Sequence, residues 1–322
     1  MNCLSIVSSP LQLLNFNEFL NEHKINNYYL IVMVHNDNEY ERINYLLDYY
    51  NILSYRIIRA KFLLQYFTLF KIIKNFKRIK KLVIGNFFSD PHLFIVNKLA
   101  YEDLIVLDDG MNTSLIPKHI ETKERILKSS HFRNLIFSLL NIDVSYPDKI
   151  NLFTFFKNIR SDKIHILNNN LESVREKIKN MQIKNQVYII GQPFVELGML
   201  GRQEYFENLK KLKLKYNDLV YIPSRKESKL KVDEIKNKLG YKITYPKINI
   251  EMYFIINNFL PKKVYSFTST ALIILRILFS NHPLITINSI FIRNFTGRFK
   301  PSVTDKYYRT LKDYKINVVE LS

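Results

Sequence analysis

The sequence predicts an α/β chain of two consecutive Rossmann-like domains facing a cleft. Three observations carry that expectation. Short apolar runs alternate with stretches of helical spacing, the pattern of βαβ units and parallel sheets. The alternation starts twice, once at Leu4 and again near Gln186. A polar stretch around Asn168 to Lys184 separates the two series, which sets the expected domains at 1–180 and 181–322.

Each element has its own signal. Leu4 to Ser8 (LSIVS) reads as a buried strand. Ser8-Ser9-Pro10 then opens a helix carrying Leu11, Leu14, Phe16 and Phe19. Ser caps free N–H groups there, and Pro is tolerated in a first turn. Tyr29 to Val34 is a second strand, with a helix over Tyr40 to Tyr50. Lys81 to Gly85 is a third strand, and Leu104 to Leu107 runs directly into Asp108-Asp109-Gly110. In the second series Val187 to Ile190 precedes Gly191-Gln192-Pro193, and a basic helix covers Tyr205 to Lys215. Leu219 to Ile222 ends at Pro223-Ser224-Arg225. Lys263 to Phe267 leads through Thr268-Ser269-Thr270 into a helix over Ala271 to Phe279, and Leu284 to Ile287 is a further strand.

Composition narrows the class. A chain of 322 residues, 47% hydrophobic, can bury two cores. Seven Gly and ten Pro argue against a disordered or fibrous chain. The single cysteine, Cys3, excludes an intramolecular disulfide framework and a cysteine-rich zinc site. Met1 to Pro10 lacks the basic and apolar regions of a signal peptide. No apolar run reaches the roughly 18–20 residues that span a bilayer, and Thr270 to Phe279 is short and contains Arg276. A cytoplasmic location is expected. The net charge of +19 favours anionic partners: nucleic acid, anionic lipid or anionic substrate. Abundant Lys, Asn, Ile and Tyr and the absence of Trp also fit an AT-rich coding sequence. No recognition-helix, zinc-finger or aromatic RNA-binding signature is present, so nucleic acid is not an expected partner.

The candidate site residues all follow predicted strands, where open parallel sheets bind ligands. Asp108 and Asp109 can place a carboxylate that takes a proton from an attacking hydroxyl, with Gly110 permitting a tight turn; an ordinary Asp-Gly turn or helix cap has the same pattern. Ser269 and Thr270 open an apolar helix, where hydroxyls and free N–H groups suit a phosphate; simple capping is the alternative. Gly191 and Gln192 allow close approach of a nucleotide, or form a plain turn. Arg225 and Lys226 can neutralise a phosphate, or lie on a solvated turn. His282-Pro283 precedes a strand and is read as structural, and His92 is left undecided. No metal site is expected. Phe62 to Lys81 combines an apolar face with Lys71, Lys74, Lys77, Arg78, Lys80 and Lys81. It reads either as a segment on an anionic membrane surface or as a surface helix packed on the core.

The segments IVSSPLQLLN, IVLDDG, YIIGQP, YIPSRKE, NIEMYFI and SFTSTALIIL run nearly end to end. In order and spacing they resemble glycosyltransferase family 52, the bacterial sialyltransferase family of capsule and lipooligosaccharide synthesis, and more loosely the bacterial polysialyltransferases. The resemblance implies the GT-B fold, with an acceptor-side N-terminal domain and a nucleotide-sugar (CMP) C-terminal domain. It implies that Asp109, in preference to Asp108, is the general base. Ser269 and Thr270 would hold the CMP phosphate, and Glu251 would fall at a nucleotide-binding acid. Gly191, Gln192 and Arg225 complete the donor side; Ser8, Ser9 and Gly110 lie on the acceptor side. The family places a His where this chain has Ser224, and Ser224 cannot carry a positive charge.

The expected activity is metal-independent, inverting transfer of sialic acid from CMP-sialic acid to a galactose-containing capsule or lipooligosaccharide acceptor. No cofactor is expected beyond the donor substrate. The expected partners are a nucleotide sugar and an oligosaccharide or lipid-linked glycan, with an anionic inner-membrane surface and a homodimer left open. A UDP-sugar donor and a non-catalytic scaffold for polysaccharide assembly are the alternatives.

Overall fold

The computed structural model describes residues 2–59, 63–125, 131–293, 295–296 and 301–321. It divides into two compact units, Met1–Ser173 and Val174–Ser322. The first contains β1 (Cys3–Val7), α1 (Pro10–Glu22), β2 (Tyr28–Met33), α2 (Asp37–Tyr49), β3 (Tyr55–Ile58), α3 (Leu63–Ile73), β4 (Ile79–Ile84), α4 (Asp90–Lys98), β5 (Tyr101–Leu107), α5 (Ile116–Thr122), α6 (His131–Leu139), β6 (Ile150–Thr154) and β7 (Ile164–Asn168). After α7 (Glu172–Ile178) the second contains β8 (Ile183–Ile190), α8 (Arg202–Lys215), β9 (Leu219–Ile222), α9 (Lys229–Leu239), β10 (Lys242–Ile243), α10 (Ile250–Ile256), β11 (Leu260–Ser266), α11 (Thr270–Leu278), β12 (Thr286–Ile290), α12 (Pro301–Asp313) and β13 (Asn317–Val319).

Both sheets are parallel throughout. The first has the order β3-β2-β1-β4-β5-β6-β7, the second β10-β9-β8-β11-β12-β13. Each order is doubly wound and reverses once, between β1 and β4 and between β8 and β11. Ligands of such sheets bind outside the carboxyl ends at the reversal. All five residues of β1 are buried, as expected of a strand covered on both faces. Helix α1 begins where the Ser9 side chain accepts from the Gln12 N–H, with Pro10 in the first turn. It buries Leu13, Leu14, Phe16 and Phe19, and also the polar Gln12, Asn15 and Glu18. The second core centres on Tyr205, Tyr221, Phe194 and Phe267.

Several segments differ from the sequence expectation. Strands β3, β6, β7, β10 and β13 carry too short or too polar a pattern to be read alone. Phe62 lies outside the described residues, and the stretch after it is not one amphipathic segment. Helix α3 ends at Ile73, where the chain turns with Phe76 N–H donating to the Ile73 carbonyl. Lys80 and Lys81 belong to β4, which pairs with β1. Tyr66, Leu69, Ile72 and Ile73 of α3 are buried, while Leu64, Phe67 and Phe70 are exposed. Strand β12 starts at Thr286 because His282 to Ile285 forms a turn, with Ile285 N–H donating to the His282 carbonyl. Among the described residues no helix is long and apolar enough to cross a membrane.

Buried Asn15 links three segments of the first unit. Its Nδ2 donates to the Asp108 carbonyl at 3.1 Å and its Oδ1 accepts from Asn169 Nδ2 at 2.9 Å. Asn15→Leu strands both partners, each a loss of roughly 1–3 kcal/mol. Urea denaturation should show the first unit destabilised by about 2–4 kcal/mol. A change below about 0.5 kcal/mol would show that the link carries no stability.

Candidate functional site

The reversal in the first sheet brings Ser8, Gly85 and the Asp108–Gly110 turn together. Ile6 pairs with Ile84, and Ile84 with Val106, so the segments leaving β1, β4 and β5 lie abreast. Gln12, one turn into α1, joins them. Its Oε1 accepts from the Ser8 N–H at 2.7 Å, and its Nε2 donates to Asp109 Oδ1 at 2.8 Å. Gly85 makes room for it, since a Cβ there would stand 2.3 Å from Gln12 Oε1. Ser9 is committed as the α1 cap.

The two acids separate into different roles. Asp108 is fully buried; Thr154 Oγ1 donates to its Oδ1 at 2.7 Å and Phe155 N–H to its Oδ2 at 2.8 Å. Both of its oxygens accept a hydrogen bond within the protein, and the side chain ties the loop after β6 to the end of β5. Asp109 is half-buried, with its N–H donating to Thr113 Oγ1 at 2.9 Å. Burial raises its carboxyl above the usual range, against the pull of Gln12 and Asn112. A half-open carboxylate of raised basicity suits proton abstraction. Gly110 has φ 67°, a left-handed turn that glycine adopts without strain.

The second reversal gathers the other candidates. Ile190 pairs with Ile222 on one side and Ser266 on the other, so Gly191, Pro223 and Phe267 leave the sheet side by side. Beneath them lies a polar cluster that the sequence reading missed. The side chains of Glu227 and Lys231 are both 0% exposed, with Lys231 Nζ 2.7 Å from Glu227 Oε1. Lys231 also donates to the Gln192 carbonyl at 3.1 Å and to Glu196 Oε2 at 2.9 Å. Glu227 accepts from the Tyr221 hydroxyl and, through Oε2, from the Ser224 N–H, each at 2.5 Å. Burial raises the Glu227 carboxyl, with Lys231 opposing. A Cβ on Gly191 would stand 2.3 Å from Glu227 Oε2 and 2.4 Å from the Tyr221 hydroxyl. The close approach that demands glycine is therefore to these side chains of its own unit. The available signal was Glu227 four residues before Lys231, the spacing of a helical ion pair.

Ser224 is half-buried, and Arg225 is exposed. Glu251 is buried on α10; burial raises its carboxyl, opposed by its own backbone N–H, by Asn249 and by the charge of Arg225. Ser269 caps α11, its Oγ accepting from the Ala271 N–H at 3.3 Å, and Thr270 is the first helical residue. His282 is in the turn before β12, away from the carboxyl ends. His92 is fully buried and bonded to Ser8. Among the described residues no group of three or more His, Cys, Asp or Glu could hold a metal ion.

No family model matches the chain. Among curated proteins it is similar to the type II restriction enzyme MjaIII of Methanocaldococcus jannaschii, 26% identical over 196 residues, which cover 48% of this chain and 63% of that protein. The chain thus spans less than two thirds of that relative's length. Among solved structures it is similar to UDP-GlcNAc 2-epimerase from Neisseria meningitidis bound to UDP-GlcNAc, at 12% identity, 100% of this chain, 88% of that chain and TM-score 0.54. The epimerase of Methanocaldococcus jannaschii in complex with UDP-GlcNAc and UDP aligns at 10% identity, 98% and 92% coverage and TM-score 0.51. A sialyltransferase from Photobacterium damsela aligns at 10% identity, 99% and 81% coverage and TM-score 0.49.

Asp108 gives a pH-dependent expectation. Burial pushes its carboxyl from an ordinary 3.8 up to about 7, against hydrogen bonds from Thr154, Phe155 and Thr113. The folded state therefore holds this proton more tightly than the unfolded chain. The stabilisation is complete below about pH 4 and is lost as pH rises through about 7. Urea denaturation of wild type and Asp108→Asn at pH 5 and pH 8 should shift the difference toward the variant at pH 8. An unchanged difference would show that Asp108 does not titrate in this window.

Two parallel α/β sheets, each reversing its strand order once, together with the likeness to the two epimerase structures, identify the chain as a protein of the GT-B glycosyltransferase-like fold.

Proposed function

We propose that the protein is an inverting glycosyltransferase that moves sialic acid from CMP-sialic acid to a galactose-containing glycan. The observation that carries the reading is Asp109: a half-open carboxylate at the sheet reversal, made more basic by burial and anchored by Gln12. The acceptor O–H gives its proton to Asp109 as its oxygen bonds to the anomeric carbon. The bond from that carbon to the donor phosphate oxygen breaks, and its electron pair leaves with CMP. The second unit supplies Gly191 and Gln192 as a backbone edge, Arg225 as a cation near Glu251, and Ser269 and Thr270 at the start of α11. A helix N-terminus and a guanidinium both stabilise a departing phosphate. Ser224 can donate a hydrogen bond to it but brings no charge.

A UDP-sugar donor is the second reading, favoured by the likeness to epimerases whose structures hold UDP-GlcNAc. Incubation with CMP-sialic acid or UDP-GlcNAc, a galactose-terminated acceptor and EDTA separates the two. CMP release should fall by roughly 100-fold or more in Asp109→Ala and rise in Ser224→His. UDP release alone would replace the donor. Silence toward both, with folding verified, would leave a binding protein without transferase activity. Steeply salt-dependent DNA binding would turn the reading toward nucleic acid, given the +19 charge and the likeness to a restriction enzyme.

The acceptor in this reading is lipid-linked and presented at an anionic membrane surface. Exposed Leu64, Phe67 and Phe70 beside exposed Lys71 and Lys74 support it. The protein should sediment with phosphatidylglycerol vesicles, and Phe67→Ser with Phe70→Ser should reduce the bound fraction. Equal sedimentation of both proteins would remove α3 as the contact.

A further inference from the structure

The geometry points to the Ser8 hydroxyl as a hydrogen-bond donor held ready for a sugar oxygen, with buried His92 as the positioning residue that sets its direction. The inference deepens the glycan-acceptor reading and takes its ligand class from it. His92 lies on α4, is 0% exposed, and has a hydrogen-bond partner at each ring nitrogen. The backbone N–H of Asn86 points at Nδ1, 3.1 Å away. A backbone N–H can only donate, so Nδ1 carries a lone pair. A neutral ring then holds its proton on Nε2, which lies 2.8 Å from Ser8 Oγ. Burial, reinforced by His35, lowers His92 to about 3, which keeps the ring neutral at ordinary pH.

The consequence falls on Ser8. Its Oγ accepts from His92, so its own hydrogen must point elsewhere. Among the described residues no group accepts that hydrogen, and Ser8 is half-buried at the carboxyl end of β1. The hydroxyl therefore turns its hydrogen, and with it a donor, toward whatever occupies the sheet reversal. Without His92 that hydrogen would have no fixed direction.

The neighbouring group has the opposite polarity. The Gln12 amide that holds the Ser8 N–H also holds Asp109, and its orientation is forced. If the amide were flipped, an NH2 would face an N–H and a carbonyl oxygen would face a carboxylate. One side chain thus holds both the backbone that carries the hydroxyl donor and the carboxylate acceptor on the adjoining segment. That pairing suits a polyol: one sugar hydroxyl gives its hydrogen to Asp109, and a neighbouring sugar oxygen accepts from Ser8.

Two measurements test this. Histidine 15N NMR, with His92 assigned by its loss in His92→Phe, should show the Nε2–H tautomer unchanged from pH 5 to pH 8. An Nδ1–H tautomer or an imidazolium in that range overturns the relay whatever the ligand is. Lactose, as a galactose-terminated probe, should bind wild type about 3–10-fold more tightly than Ser8→Ala, the span of one net hydrogen bond. His92→Phe should weaken lactose similarly, His92→Gln should recover part of the loss, and Ser8→Ala with His92→Phe should be no weaker than Ser8→Ala alone. Additive losses would overturn the claim that His92 acts through Ser8. A wild type that shows the Nε2–H tautomer but binds no lactose would overturn the sugar assignment, and with it the acceptor reading, while leaving the direction of the Ser8 donor established.

Discussion

Strand order reverses once in each sheet, and that constraint decides where this protein can do chemistry. At a reversal, neighbouring parallel strands send their following segments to opposite faces, so no crossover packs over the ends. Ser8 and Gly85 leave the two strands of the first reversal; Gly191 and Phe267 leave those of the second. The Asp108–Gly110 turn and Ser224 lie one strand further out. Register makes the arrangement strict, since a slip of one residue would turn each strand inside out and move every loop.

Each reversal is held by buried polar side chains that face away from solvent. In the first unit Asp108 receives Thr154 and Phe155, and Asn15 ties the same turn to Asn169. In the second, Glu227 and Lys231 hold the loops after β8 and β9 in one cluster with Tyr205 and Tyr221. Burying a full ion pair carries a desolvation cost that its attraction only partly offsets. What such a cluster supplies is a single geometry for the groups above it. Gly85 and Gly191 belong to the same design: each leaves a space that a side chain of its own unit fills, Gln12 in one case and Glu227 in the other.

Each unit, taken by itself, offers a different chemistry to the ligands of the proposed function. The first offers a carboxylate and an oriented hydroxyl, suited to a neutral polyol. The second offers a helix N-terminus, hydroxyls and an exposed guanidinium, suited to a phosphate. In the proposed reading Ser224 would be the weak point of the second set, because a departing phosphate gains most from a positive partner and a hydroxyl supplies only a dipole.

Residue order alone was enough for the βαβ rhythm, its two starts and the loops that end the strands, because these follow from local apolar periodicity and turn chemistry. It determined Leu219–Ile222 to the residue and placed Asp109, Ser224 and Ser269 just beyond their strands. It ranked Asp109 above Asp108 only through the family resemblance, since adjacent acids look alike until one is seen to meet Thr154. Gln12, His92, Glu227 and Lys231 were not assigned roles either. Gln12 and His92 reach partners up to 97 positions away, and local periodicity holds no trace of such pairings. Lys231 reads as one more cation on a basic helix until its burial is known. The sequence by itself determined which segments could carry the chemistry. Only the tertiary structure decided which side chains hold them in place, because burial and long-range hydrogen bonding exist only once the sheets have formed.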